Sequence, residues 1–451
     1  MPLYTVSHVD NLRVCVVMVG LPARGKSFIS HKIVRYLSWL SVKTRVFSVS
    51  SYRREEYREQ PSADFFNPNN EESKVIREQA NIDAIKDVIK WMNEEDGCVA
   101  ILDGSNVTKQ KRAMVAQTLR DNKVEPLFLE SFCDDEAIVK SNIMDINSTS
   151  PDYAGKPPGY ALEDILTKIK YYETHYEPMD LVDEKELSFI KLINVNSQII
   201  INKIASYLES RIAYYIMNLH IKPRYIWLSR HGESQYNLEG KIGGDADLSE
   251  RGMKYARKLK DLVENYIPNH DKLEVWTSTL RRTQQTAQFL PNPKKQWKAL
   301  DELDAGSCDG LTYEEIAQRF PEDFAARDEN KFEYRYRGGE SYRDVIQRLE
   351  PIIMELENQE NVLVITHQAV LRCIYAYFMN SPQEKSPWMS IPLHTLIRLE
   401  PRAYGTNVTR IKANIPAVST YKEKGTSKLG ESQDSAHVMA GEVITSDVAN
   451  Q

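Results

Sequence analysis

The chain alternates two kinds of hydrophobic pattern. Short, almost unbroken apolar runs stand in "LRVCVVMVGL", "KTRVFSVSSY", "GCVAILDGSN" and "EPLFLESFCD". Between them lie stretches with apolar residues every three or four positions, such as "SFISHKIVRYLSWL" and "REQANIDAIKDVIKWMNEE". Continuous runs predict strands buried on both faces, and the longer period predicts amphipathic helices. Their alternation predicts an α/β domain built on a parallel sheet. The stretch "SQIIINKIASYLESRIAYYIMN" predicts one long helix ending near Asn218. After "LHIKPR" a second series begins, with strands in "YIWLSRH", "LEVWTS" and "NVLVITH" and helical segments between them. The pattern divides the chain into α/β domains at 1–218 and 219–417. Beyond Ala417 the periodicity fades into Ser, Gly and charged residues, which reads as a disordered tail over 418–451. No internal repeat relates the two halves.

Composition narrows the class. A length of 451 residues exceeds one ordinary core and fits two or three domains. Apolar content of 41% and charged content of 27% are those of a soluble globular protein. A net charge of -6 argues against a general nucleic-acid binder. The five cysteines, at 15, 98, 133, 308 and 373, form no CxxC pair, so neither a zinc site nor a disulfide framework is indicated. The N-terminal segment has no signal or transit pattern, and no apolar run approaches membrane-spanning length. A cytoplasmic protein with no membrane and no nucleic-acid partner is expected.

Two places carry candidate chemistry. The first is GxxxxGKS, from Gly20 to Ser27, set after one strand and before one helix. Its glycines let backbone N–H groups turn toward a polyphosphate, and the helix N-terminus adds its positive end. Lys26 can reach the outer phosphates and Ser27 can ligate Mg²⁺. Asp103 ends the strand in "CVAILDGSN", where a Mg²⁺ carboxylate belongs, although it reads equally as a helix N-cap. Arg53, Arg54 and Arg77 could bind an anionic substrate; by themselves they are ordinary helix charges.

The second place is "YIWLSRHGES", where Arg230 and His231 follow a buried strand. Arg282 in "STLRRTQQTA" and His367 in "VITHQA" also stand where strands give way to helices. Ligand sites of open α/β sheets lie at the carboxyl ends of strands, so two histidines and two arginines are expected to converge there. Such a set suits a phosphohistidine enzyme: an imidazole nucleophile with guanidinium groups on the phosphate. Glu302 in "DELDAG" supplies a general acid, provided a bound phosphate and its surroundings raise its pKa.

"LSRHGES", "SERG", "STLRRTQQTA", "ELDAG" and "VITHQA" resemble the histidine phosphatase (phosphoglycerate mutase-like) superfamily. With "GLPARGKS", "STSPDY", "KFEYRYRGGESY" and "PLHTLIRLEPRAYG", the whole order resembles the 6-phosphofructo-2-kinase/fructose-2,6-bisphosphatase family, from about residue 12 to 422. The resemblance implies a P-loop kinase-like parallel-sheet domain followed by a histidine phosphatase domain. It implies that His231 takes the C2 phosphate of fructose 2,6-bisphosphate while Arg230, Arg282, Asn237 and His367 hold it. Glu302 would protonate the departing O2. Gly243, Tyr313, Arg327, Lys331, Arg335, Gln368 and Arg372 would form the rest of the sugar bisphosphate site. No metal is implied for this half. In the other half, Gly20, Leu21, Pro22, Ala23, Arg24, Gly25, Lys26 and Ser27 would wrap ATP, with Ser27 and Asp103 on Mg²⁺. Arg53, Arg77, Ser105, Lys111, Asn147, Lys168 and Tyr172 would meet fructose 6-phosphate and the transferring phosphate. Cys133 fits the pattern too, although alone it reads as a small buried apolar residue. A homodimer paired through the kinase halves is implied as well.

The chain departs from that pattern in its first half. Asn147 stands where the family carries a lysine three residues before Ser-Pro-Asp-Tyr. Ser48 replaces asparagine, and Lys111 and Lys168 replace arginines; a point charge in place of a planar fork is not conservative at a phosphate site. The expectation is an intact bisphosphatase joined to an ATP-binding half that turns over weakly. A fully bifunctional enzyme is one alternative. A nucleotide-sensing regulatory module is another.

Overall fold

The run VCVVMV becomes strand β1, Val14–Val19, with every residue buried, because it lies mid-sheet. The computed structural model describes residues 13–57, 62–153, 156–195, 197–219, 224–402 and 405–420. The chain divides into two units, Met1–Ile221 and Lys222–Gln451.

In the first unit, β1 is joined by β2 (Thr44–Ser48), β3 (Val99–Asp103), β4 (Glu125–Phe132), β5 (Ser188–Ile193) and β6 (Gln198–Asn202). The sheet order is β2-β3-β1-β4-β5-β6. All pairs are parallel except β5 with β6. The chain goes from β1 to one side of the sheet and returns to β4 on the other. The carboxyl end of β1 is therefore a switch point, and the helix Lys26–Trp39 starts there.

One expectation fails here. The apolar stretch from Gln198 is not a single helix. Its Ile199–Ile201 run pairs antiparallel with β5, after a turn in which Asn194 and Val195 both have positive φ. Helix begins only at Tyr207 and ends at Met217, started by a capping box: Ser206 Oγ accepts from the Glu209 N–H, and the Glu209 carboxylate from the Ser206 N–H. Both elements are apolar, so the period alone did not separate them.

In the second unit the strands are β7 (Tyr225–Arg230), β8 (Glu274–Thr277), β9 (Lys294–Gln296), β10 (Asn361–Thr366), β11 (Thr395–Arg402) and β12 (Gly405–Lys412). Their order is β12-β11-β7-β10-β8-β9. From β7 to β9 the sheet is parallel, while β11 runs antiparallel to β7 and to β12. Trp227 and Trp276 are fully buried in this sheet. The carboxyl ends of β7, β10 and β8 thus lie side by side. The expected tail enters the description only at 418–420; residues 421–451 lie outside it. Among the described residues no helix is long and apolar enough to cross a membrane.

Candidate active sites

Strand β7 delivers Arg230 and His231 to the sheet's edge, and the His231 N–H bonds the Thr366 carbonyl of β10 at 2.9 Å. The turn that follows needs glycine. A Cβ on Gly232 would sit 2.6 Å from the Gly252 carbonyl oxygen, and one on Gly252 would meet the Glu233 oxygen at 2.1 Å. This close approach explains why RHG and SERG occur together. Glu233, fully buried, is held by Arg251 through two bonds of 2.6 and 2.7 Å, and its N–H donates to His394 Nε2 at 3.0 Å.

His231 is set up as a nucleophile. Its Nδ1 lies 2.7 Å from the Gly232 carbonyl, which assigns the proton to Nδ1 and leaves the Nε2 lone pair free. Burial, then the Arg282 and Arg230 charges, hold its pKa well below the ordinary value, so the imidazole is neutral at physiological pH. The His367 ring lies 5.2 Å away. His367 Nδ1 accepts from Arg282 Nε at 3.2 Å while Nε2 donates to Ser278 Oγ at 2.8 Å; burial and Arg282 keep this ring neutral too.

The guanidinium groups are bound to neutral acceptors. Arg230 donates to the Ile391 carbonyl at 3.0 Å and to Thr420 Oγ1 at 2.8 Å, while its buried Nε has no partner among the described residues. Burial pulls Arg230 down to about 9, with Glu302 opposing and Arg372 and Arg282 reinforcing. Arg282 donates to the Gly244 carbonyl at 2.6 Å, and Arg372 to the Met389 carbonyl and the Tyr342 hydroxyl. An incoming anion would relieve this cluster of cations. Glu302 lies at the N-terminus of the helix Gln368–Phe378, accepting from the N–H groups of Gln368, Ala369 and Leu303 at 3.0–3.1 Å. The Gln368 side chain reaches the Thr420 carbonyl at 3.4 Å.

Around this centre, Asn237 closes the capping box of the short turn after Ser234, and Gly243, with φ +71°, leaves room for Asp309. Arg327 donates to the hydroxyls of Tyr336 and Tyr313 at 2.7 and 3.0 Å. The Lys331 amine bonds the Pro387 carbonyl and lies 4.7 Å over the Trp388 ring. Arg335 stands apart: its side chain is 63% exposed and pairs with Asp344, so no described contact brings it to Arg327 or Lys331. Tyr342 escaped the sequence reading, although "GGESY" contains it; its link to Arg372 crosses 30 residues.

In the first unit, Gly20 has φ +133° and Gly25 φ +76°, and a Cβ on Gly20 would meet the Ser131 carbonyl at 2.6 Å. Ser27 Oγ donates to Asp103 Oδ2 at 2.7 Å, so the carboxylate at the end of β3 faces the loop. These two oxygen donors fit a hard divalent cation completed by phosphate and water. Lys26 folds onto the Leu21 carbonyl at 2.6 Å, and burial pulls it down to about 8 against the field of Asp103. Arg24 bonds the carbonyls of Pro22 and Cys133, and Ala23 accepts from Asn142. Cys133 is buried in an apolar cluster with Ala23 and Val139, and burial pushes its thiol up.

Arg53, Lys168, Arg77 and Tyr172 gather around Phe65 and Phe66. The Lys168 amine is 3.6 Å over the Phe66 ring, Tyr172 and Ser105 share a hydrogen bond, and Arg77 donates to the Phe65 carbonyl. Burial pulls Lys111 down to about 8, near Glu78 and Arg77. Arg53 is not free: Asp152 accepts from its Nη2 with both oxygens, at 2.9 and 2.7 Å. Nothing in the sequence reading foresaw that pairing. Asn147 lies in the helix Glu136–Thr149, with its side chain outside the described part.

The fold and these two centres define the class: a P-loop kinase-type unit followed by a histidine phosphatase-type unit. Residues 3–223 match the 6-phosphofructo-2-kinase family, and residues 226–414 match branch 1 of the histidine phosphatase superfamily. The chain belongs to the 6-phosphofructo-2-kinase/fructose-2,6-bisphosphatase family. It is 61% identical over 433 residues to the Saccharomyces cerevisiae fructose-2,6-bisphosphatase, covering 96% of each chain. It is 48% identical to 6-phosphofructo-2-kinase/fructose-2,6-bisphosphatase 3 of Rattus norvegicus, over 91% of this chain and 74% of that one. With the Gallus gallus 6-phosphofructo-2-kinase/fructose-2,6-bisphosphatase the identity is 47%, over 93% and 89%.

Proposed function

We propose that the second unit hydrolyses the C2 phosphate of fructose 2,6-bisphosphate through phospho-His231, giving fructose 6-phosphate and phosphate. The observation that carries this reading is His231 itself: a neutral ring with Nδ1 committed to Gly232, between Arg230 and Arg282. His231 Nε2 attacks phosphorus, the P–O2 bond breaks, and Glu302 gives its proton to the departing oxygen. Water then attacks phosphorus while Glu302 takes a proton from it, the P–N bond breaks, and its electron pair returns to His231 Nε2. Arg230 and Arg282 stabilise the charge that spreads over the equatorial oxygens, and His367 orients Arg282 by accepting from its Nε. Arg327 and Lys331 hold the C6 phosphate, and no metal enters the step.

The first unit binds ATP with Mg²⁺ on Ser27 and Asp103 and transfers phosphate weakly. The support is the substitution of Asn147, Ser48, Lys111 and Lys168, together with Asp152 already seated on Arg53. The molecule acts as a cytoplasmic homodimer, which light scattering of the purified chain tests. For the chemistry, substrate labelled at the C2 phosphate should yield an acid-labile, alkali-stable phosphoprotein that is lost in His231→Ala. A labelled phosphoserine, or an unaffected variant, would end this reading.

A further inference from the structure

The segment 299–304 carries Glu302 yet belongs to no strand, and only its first two residues join a single helical turn, Lys298–Leu300. Such a segment holds a carboxyl group in place only if its backbone is tied down from outside. One side chain does most of that. The Arg348 guanidinium donates to the carbonyls of Ala299, Asp301 (2.7 Å) and Glu302 (3.3 Å). Its Nε donates to Glu340 at 2.8 Å, and Nη2, which also serves Asp301 and Glu302, reaches the other Glu340 oxygen at 3.1 Å. Glu340 returns to the same segment: its carboxylate accepts from the Asp304 N–H at 3.1 Å, and its own N–H donates to the Asp304 carbonyl at 2.9 Å. Arg348 and Glu340 therefore grip the loop on both sides of Glu302. From the other side, Thr366 Oγ1 bonds the Leu300 carbonyl, and Thr279 bonds the Asp301 carboxylate at 2.8 Å.

We propose that Arg348, braced by Glu340, is a positioning residue for the acid step: it sets the Glu302 carboxyl against the leaving oxygen without touching substrate. The proposal rests on Glu302 as the acid. Three carbonyls of one short segment can be held by one side chain only if its donors are several, coplanar and fixed, which describes guanidinium and not ammonium. A lysine here would keep the charge and lose the geometry. A misplaced acid slows only those reactions that need it, and this separates positioning from a general structural role.

The experiment compares wild type, Glu302→Gln, Arg348→Lys, Glu340→Gln and the Glu302→Gln/Arg348→Lys double variant on two substrates. Fructose 2,6-bisphosphate expels a sugar alkoxide and needs the proton. p-Nitrophenyl phosphate expels an anion that leaves unprotonated near neutral pH. Glu302→Gln should lower kcat on the sugar bisphosphate by ~10²-fold or more. Arg348→Lys should lower it by roughly 10–10²-fold, since a small misplacement of a catalytic group costs that much. Glu340→Gln should act in the same direction and less strongly. KM should hold within about twofold; the first-turnover release of p-nitrophenolate, which precedes the water attack that both substrates share, should barely change; and the double variant should be no slower than Glu302→Gln, as for groups acting through one another. An Arg348→Lys loss equal on both substrates, or one additive with Glu302→Gln, overturns the brace. If Arg348→Lys does not fold, Glu340→Gln decides alone by the same criterion. A Glu302→Gln variant that is itself unselective removes the acid assignment, and the brace with it; a selective one beside unselective Arg348→Lys removes the brace only.

Discussion

The two candidate phosphate sites differ in what one of their buried arginines holds at rest. In the second unit, Arg230, Arg282 and Arg372 donate to carbonyls, a hydroxyl or an imidazole nitrogen. In the first, Arg53 is already matched to a carboxylate, with 5% of its side chain and 13% of the Asp152 side chain exposed. A cation resting on neutral oxygens gains the full strength of a charge-assisted bond when phosphate arrives. One that must first leave a buried carboxylate gains only the difference. The first arrangement leaves its guanidinium groups without a charged competitor among the described residues. The second is a site with its own internal competitor, and the substitutions at Asn147, Lys111 and Lys168 fall in the same unit.

The sharpest test of the contrast removes the nucleophile. His231→Ala should abolish hydrolysis of fructose 2,6-bisphosphate, by on the order of 10⁴-fold or more, since no neighbouring group replaces a lost nucleophile. ATP binding by the first unit should be unchanged, measured by calorimetry on the same sample. Residual hydrolysis near the wild-type rate would place the chemistry elsewhere and erase the difference between the sites.

A second test repairs the weaker unit. Asn147→Lys should raise the rate of ATP-dependent fructose 2,6-bisphosphate synthesis by ~10²–10³-fold, the usual worth of one transition-state donor. The His231→Ala background keeps the product from being destroyed as it forms. A wild type already as fast as its lysine variant would show that the first unit is not the weaker of the two.

How far the sequence discloses these sites follows from distance along the chain. Arg230, His231 and His367 stand where apolar strands end in polar residues, a local pattern that predicts a shared sheet edge. Ser27 and Asp103 lie 76 residues apart, yet each ends or begins its own element, so their meeting is also legible. The Asp152–Arg53 pair spans 99 residues and joins a single 3-10 turn, Pro151–Tyr153, to the last turn of the helix Val49–Glu56, and nothing local marks either as the other's partner. The same holds for Arg348, an ordinary charge in "VIQRLEP" until the 299–304 loop is seen against it. β6 was hidden for another reason: a strand of isoleucines running into an amphipathic helix keeps one apolar rhythm, and only the Ser206 cap marks the break. The reading of 418 onward as a tail overlooked Thr420, whose hydroxyl meets Arg230.

A third test removes the competitor. Asp152→Asn takes the negative charge from beside Arg53 and Arg54 and should lower folding stability by about 1.5–3 kcal/mol, the range for hydrogen bonds to charged groups. Fructose 6-phosphate should restore part of that loss and raise the melting temperature of the variant more than that of the wild type, because it binds only the folded cation. Equal ligand shifts in the two proteins would mean that Asp152 does not compete with phosphate, and the contrast between the sites would rest on Asn147 and its companions alone.

The smallest effect concerns Lys168 and pH. Burial, then the charge of Arg53, pulls its ammonium down to about 7, with Asp152 and Asp164 opposing. An unfolded lysine keeps its proton to about 10.4. Between those values the unfolded chain binds more protons than the folded one, so this residue makes stability rise with pH across that window. Anion binding runs the other way. A sugar phosphate needs the charged amine, so affinity at the first unit should fall by roughly tenfold from pH 6 to pH 8 as the free site loses its proton. The ligand's own second ionisation, near pH ~6, strengthens binding over the lower part of the range. Lys168→Arg separates the two terms: guanidinium stays charged throughout, so the variant shows the ligand's ionisation alone. Calorimetric titration of fructose 6-phosphate into both proteins at several pH values, each in the His231→Ala background, gives the difference directly. Parallel profiles would show that Lys168 is charged in the free site across this range. The first unit would then hold its cations ready for phosphate much as the second does, apart from Arg53 and Arg54 on Asp152.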